Sequence, residues 1–140
     1  MLYVRLLPLI VFATVVAGCG EGGRHQTVPV SGIVVFPDGS PVRTGTIEFE
    51  SKTTDMTASA RISQNGRFVL GTYEPDDGAV VGFHRVMILQ MIINDGTVEH
   101  TLDHGKPVDP KFSMFESSGL AVTVHPTEKN DLRIEVTPAE

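Results

Sequence analysis

Between Met56 and Leu70 the chain alternates, turns, and alternates again. Met56, Ala58, Ala60 and Ile62 fall on one side of an extended backbone, with Thr57, Ser59 and Arg61 on the other. That is the pattern of a strand with one buried face and one wet face. Gln64-Asn65-Gly66-Arg67 follows, and Asn-Gly is the dipeptide best suited to a type I′ hairpin turn. Phe68 and Leu70 then point back inward. A period of two on both sides of a tight turn predicts a hairpin and excludes an amphipathic helix here.

The rest of the chain from Thr27 reads in the same terms. Val28, Val30 and Ile33 to Phe36 form a first strand in which Gly32 marks a bulge. Pro37-Asp38-Gly39-Ser40-Pro41 is turn chemistry. Gly45 to Glu50 is extended, with Ile47 and Phe49 on one face. Gly71 to Gly82 reads as an acidic loop leading into Phe83 to Ile93, whose β-branched residues and flanking Gly82 and Asn94-Asp95-Gly96 favour a strand over a helix. Thr97 to Ser118 is an irregular excursion. Leu120, Val122 and Val124 make a further strand, Thr127 to Asn130 a turn, and Leu132, Ile134 and Val136 a last strand. The sum is about seven strands at sandwich spacing and no helix. A domain over residues 27–138 is large enough to bury a core without disulfides or metal.

Upstream of that domain the composition changes. Arg5 precedes an apolar run from Leu6 to Val16, broken only by Pro8 and Thr14, and small residues lead into Cys19. This is the layout of a secretory signal. The run is shorter than the roughly 20 residues a membrane-spanning helix needs. Val16-Ala17-Gly18-Cys19 resembles the bacterial lipobox, and Cys19 is the only cysteine of the chain. An exported chain with one thiol cannot close an internal disulfide, and lipidation accounts for the thiol. The expectation is a signal peptide over residues 1–18, cut between Gly18 and Cys19, and a membrane anchor through lipid on Cys19. The protein would then be an exported lipoprotein facing the periplasm or the cell surface. Residues 19–26 contain three glycines and read as a flexible tether, with His25 solvated.

Charge narrows the partners. The formal net charge is −6, and loss of residues 1–18 removes Arg5 and leaves −7. An acidic domain argues against nucleic acid and against electrostatic docking on anionic lipid. An envelope protein or a glycan is the expected partner.

Several segments together resemble the carboxypeptidase-regulatory-like domains of small bacterial lipoproteins. Val30-Ser31-Gly32 with Asp38-Gly39-Ser40-Pro41-Val42 is similar to their opening motif, and Asn65-Gly66-Arg67-Phe68 to their D/N-G-x-F turn. Asp77-Gly78-Ala79 through Gly82-Phe83-His84-Arg85-Val86 is similar to the segment leading into a central strand, and Phe112 with Ser117-Ser118-Gly119-Leu120 to a late motif. The resemblance implies a transthyretin-like (prealbumin-like) β-sandwich acting as an accessory module. The stretch from Thr97 to Asp109 departs from it.

No constellation of catalytic residues emerges, and no cofactor is expected. His125-Pro126-Thr127-Glu128 has the His-x-x-Glu spacing of a zinc carboxypeptidase but falls in a turn without a third ligand. His100 and His104, with Asp103 and Asp109 near, would share a side only in a helix, and the stretch reads as loop. Glu74, Asp76 and Asp77 have calcium-type oxygens without the spacing of a calcium loop. His84 should share the inner face with Val86 and Ile88 as a hydrogen-bonded core residue. The Tyr-Arg-Gly-Ser-type tail of transthyretin-like hydroxyisourate hydrolases and the first-strand lysine of crosslinking collagen-adhesin modules have no counterpart in Thr137-Pro138-Ala139-Glu140 or Val28 to Phe36. The leading expectation is therefore a non-enzymatic, lipid-anchored envelope protein whose sandwich binds or spaces another component. A carbohydrate-binding module is the first alternative, weakened by the absence of tryptophan, and a small metallohydrolase using His100, His104 and Asp109 the second.

Overall fold

A computed structural model describes residues 23–92 and 104–140. Gly18 and Cys19, the expected signal peptide, the first part of the expected tether, His100 and Asp103 lie outside the described residues. Nine strands run through the rest: β1 (Thr27–Val28), β2 (Val30–Val35), β3 (Thr46–Ser51), β4 (Thr57–Arg61), β5 (Arg67–Val69), β6 (Ala79–Val80), β7 (Gly82–Leu89), β8 (Leu120–Val124) and β9 (Asn130–Glu135). They form a three-stranded sheet β5-β2-β9, a four-stranded sheet β4-β3-β7-β8 and a small β1-β6 ladder. The fold is an all-β sandwich.

Alternation builds its core. The four-stranded sheet turns Ile47, Phe49, Ala58, Val86, Ile88 and Val124 inward, and the three-stranded sheet answers with Val30, Val34, Phe68 and Ile134. Phe49 and Phe68 meet across the two layers with ring centroids 6.1 Å apart. Each fully buried side chain of this size contributes about 1.5–3 kcal/mol by leaving water.

Two strands beyond the seven expected come from interruptions of the backbone. Pro29 has no N–H to offer a ladder, so the first strand divides into β1 and β2. The loop from Gly71 to Gly82 contains β6, because Thr27 and Val28 supply it with antiparallel partners in Val80 and Ala79. The strand expected through Ile93 ends at Leu89. There the Gln90 side chain takes over, donating to the Thr44 carbonyl at 3.3 Å and accepting from the Val108 amide at 2.8 Å. The last strand begins at Asn130, two residues before the expected Leu132.

Gly32 is not a bulge. Its ladder is regular on both sides, to Phe68 of β5 and Leu132 of β9. It is glycine because the backbones and the Phe68 ring close over it: a Cβ there would lie 2.3 Å from the Leu132 carbonyl oxygen and 2.7 Å from the ring.

The Asn65-Gly66 turn is also not type I′, which needs positive φ at both central residues. Among these two only Gly66 has it, at +79°. The Gly66 amide donates to the Ser63 carbonyl at 2.8 Å, and Ser63 N to Arg67 O at 2.9 Å. β4 and β5 then part into different sheets and touch again at a bridge between Ser59 and Gly71. The turn therefore joins the two layers at a corner and does not head a continuous hairpin.

The absence of helix is corrected as well. Pro110–Ser113 makes a 3-10 turn and Phe115–Ser118 a single helical turn, α1. Asp109 accepts the Lys111 amide at its start, and Phe112 sinks into the core. One turn is too short to leave a helical period in the sequence.

Candidate functional site

The register fixes which residues share each end of the sandwich. Gly82 opposite Val124, Val30 opposite Asn130 and Ser51 opposite His84 put four loops at one end: residues 52–56, 71–78 and 125–129, and the N-terminal segment. Thr46 opposite Leu89 and Val35 opposite Glu135 put the Pro37–Pro41 turn, residues 43–45, 62–66 and 90–92 at the other.

The first end holds most of the polar candidates. Asp77 folds its own loop: its carboxylate accepts the amides of Thr72, Tyr73 and Glu74 at 2.6–3.1 Å. Burial raises the pKa of this carboxyl, but the three amides, with Arg24 nearby, outweigh that and leave it below the ordinary aspartate value. Both its oxygens are thus used in closing the loop, while Glu74 and Asp76 face solvent. His125 to Lys129 form an exposed turn held by Asn130, whose side chain accepts the His125 amide at 2.9 Å and donates to the His125 and Pro29 carbonyls.

The end of the expected tether is docked here. The Arg24 guanidinium lies over the Tyr73 ring, 5.2 Å from its centroid, and the His25 amide donates to the Tyr73 hydroxyl at 2.9 Å. His25 is exposed as a side chain but anchored through its backbone. Tyr73 and Tyr3 are the two tyrosines of the chain, and a ring face of Tyr73 that a sugar would stack on carries Arg24.

His84 is buried on the inner face with Val86 and Ile88, as its register predicts. Its Nδ1 lies 3.0 Å from the Gly82 carbonyl and its ring 6.1 Å from that of Phe49. Burial pushes the imidazole below the ordinary histidine value, and the Gly82 carbonyl only partly offsets this. The late motif proves to be packing too. Buried Ser118 donates to the Val86 carbonyl at 2.5 Å and accepts the Leu120 amide at 3.2 Å, tying α1 to β7.

Among the described residues, no three His, Cys, Asp or Glu side chains converge as metal ligands. His104 and Asp109 are both half-buried. Asp109 is engaged by the Lys111 amide at 2.9 Å and its ammonium group at 3.7 Å. No helix among the described residues is long and apolar enough to cross a membrane.

The opposite end carries an open cleft of about 410 Å³. Among the described residues, Arg43 and Arg61 are the charged ones along it; Ser63 and Gln64 add polar groups, and Leu89 and Met91 an apolar side. Leu89 is 40% exposed and Met91 71%, so two large apolar side chains stand in water beside two cations. Sequence reasoning saw Arg61 only as part of a wet strand face. Arg43 and Met91 are far from it in sequence, and only the β3–β4 and β3–β7 ladders bring them together.

No family model matches the chain, and no curated protein matches it. Among solved structures, a 9R-lipoxygenase from Cyanothece PCC8801 aligns with 81% of this chain at 13% identity and a TM-score of 0.41. The aligned part spans 17% of that chain.

Proposed function

We propose that this chain is a non-enzymatic, lipid-anchored protein of the cell envelope, in which the β-sandwich binds or spaces another envelope component. The reading rests on one juxtaposition. The lipobox-like Val16-Ala17-Gly18-Cys19 is followed by only four residues, Gly20 to Gly23, before Arg24 docks on Tyr73. Fully extended, four residues reach about 14 Å, from about 3.5 Å per residue. A domain so tied has little freedom to turn over. The end with Glu74 and Asp76 would face the lipid, and the cleft end would face outward. A sandwich is also the fold that the carboxypeptidase-regulatory-like resemblance implies.

The polar side chains inside the domain support a scaffold: Asp77, Asn130 and Ser118 each hold backbone, and His84 is buried in the core. The glycan reading is disfavoured by Arg24 over Tyr73. Cys19→Ala tests the anchor: the variant should leave the membrane fraction or accumulate as an uncleaved precursor. Unchanged processing together with unchanged detergent partitioning overturns it. In-cell crosslinking through Lys52, Lys106, Lys111 and Lys129 tests the binding role, the expected result being one reproducible protein partner.

A further inference from the structure

We infer that Val81 and Phe83 dip into the interface of the lipid bilayer beside the anchor, so that the domain meets its membrane through apolar side chains as well as through the lipid on Cys19. This deepens the anchored reading proposed above and rests on it. Placement carries the argument. Val81 is 40% exposed and Phe83 50%, and Phe83 is the one aromatic among the large apolar side chains that the described residues leave in water. The period of two along β7 turns His84 into the core and Phe83 out. Both residues stand at the tether end. Val81 follows Val80, which pairs with Thr27, three residues beyond Arg24. Phe83 lies opposite Thr123 of β8, and its carbonyl accepts the Lys52 amide at 3.0 Å where β3 runs into its loop.

The length of the tether supplies the occupant. Only Gly20 to Gly23 separate Cys19 from the docked Arg24, a reach of about 14 Å. A lipid on Cys19 therefore holds this end against the bilayer, where apolar side chains settle roughly 5–10 Å into the boundary between headgroups and acyl chains. Charge then selects the kind of surface. Exposed Asp55, Glu74, Asp76 and Glu128 lie on loops of the same end and are repelled by anionic lipid. On the sheet, Phe83 is flanked by Lys52 and Thr123, and Glu50 of that face is held by Arg85. The surface is a zwitterionic one, entered by apolar contact without charge attraction.

The chain contains no tryptophan, so a single one can be installed as a reporter. Phe83→Trp and Leu89→Trp are made in the full lipid-modified protein, reconstituted in vesicles of phosphatidylcholine with brominated acyl chains. Both positions are exposed on the outer face of β7, about 20 Å apart along the strand. Phe83→Trp should emit at shorter wavelength than Leu89→Trp and lose a several-fold larger share of its emission to bromine, at low and high salt alike. Val81→Trp should behave as Phe83→Trp, and serves in its place where Phe83→Trp melts earlier than wild type. Unquenched emission from both Val81→Trp and Phe83→Trp overturns the inference. So does equal quenching of Leu89→Trp, which means that no one end faces the lipid. A blue shift of Phe83→Trp without quenching, growing with the protein-to-lipid ratio, puts a second copy on this face and also overturns it. Intact mass keeps the two readings apart. A chain without lipid on Cys19 loses the anchor and the inference together, whereas unquenched tryptophan in a chain of lipidated mass overturns the inference alone.

Discussion

A buried histidine without a charged partner makes the protein sensitive to mild acid. The His84 pKa lies below its ordinary 6.5 because burial penalises the imidazolium. Below about pH 6.5 the unfolded chain takes up a proton that the folded chain refuses, so unfolding gains. Stability from this residue is complete above that pH and falls as pH drops toward the folded-state value. Urea titrations at about pH 7.5 and about pH 5.5 should show a loss that His84→Leu removes. An equal loss in the variant would assign the effect to another group. Gly32 offers a second test at this scale. Its missing Cβ is replaced by the Leu132 carbonyl and the Phe68 ring, so Gly32→Ala should cost at least about 2 kcal/mol by overpacking, measured by chemical denaturation. The His84 face was legible because a period of two carries it inward with Val86. Gly32 was misread because a glycine in a strand looks the same whether it marks a bulge or lets neighbours approach.

At the scale of elements, short pieces are fixed by single polar side chains. Ser118→Ala would leave the Val86 carbonyl and the Leu120 amide without the hydroxyl they share, and should lower stability by about 1–3 kcal/mol in thermal or urea unfolding. The outer face of the same strand carries a different bond. Arg85 grips one Glu50 oxygen through Nε at 2.9 Å and Nη2 at 2.6 Å, and reaches Glu116 of α1 at 3.4 Å. Water screens this partly exposed pair and leaves it a weak contributor. Its loss should be smaller than that of Ser118 although the bonds are more numerous. Strand positions and inward faces were legible because each is set by its own alternation. Pairing was not: nothing local to Asn65-Gly66 says that β4 goes to β3 and β5 to β2, since both partners lie elsewhere in the chain. The same holds for the cleft: Arg61 reads as one residue of a wet strand face, and nothing local brings Arg43 beside it.

For the molecule as a whole, docking of the N-terminal segment on the domain turns on one aromatic ring. Tyr73→Ala removes the platform under Arg24 and the acceptor for His25, contacts of the kind that contribute about 0.5–1 kcal/mol at an exposed site. It should speed tryptic cleavage after Arg24 while barely moving the melting temperature, because the β1-β6 ladder and the core are untouched. An unchanged cleavage rate would show that the N-terminal segment is held by β1 alone. The sandwich has a second consequence through its parallel ladder. β2 is the central strand of its sheet, and its neighbour β9 lies about a hundred residues later, from Val30 against Asn130 to Val35 against Glu135. A chain synthesised from its N-terminus therefore keeps that sheet one strand short until residues 130–135 have emerged. Closure of the sandwich must wait for them, and the many non-local pairings imply a slow closure, on the order of milliseconds to seconds.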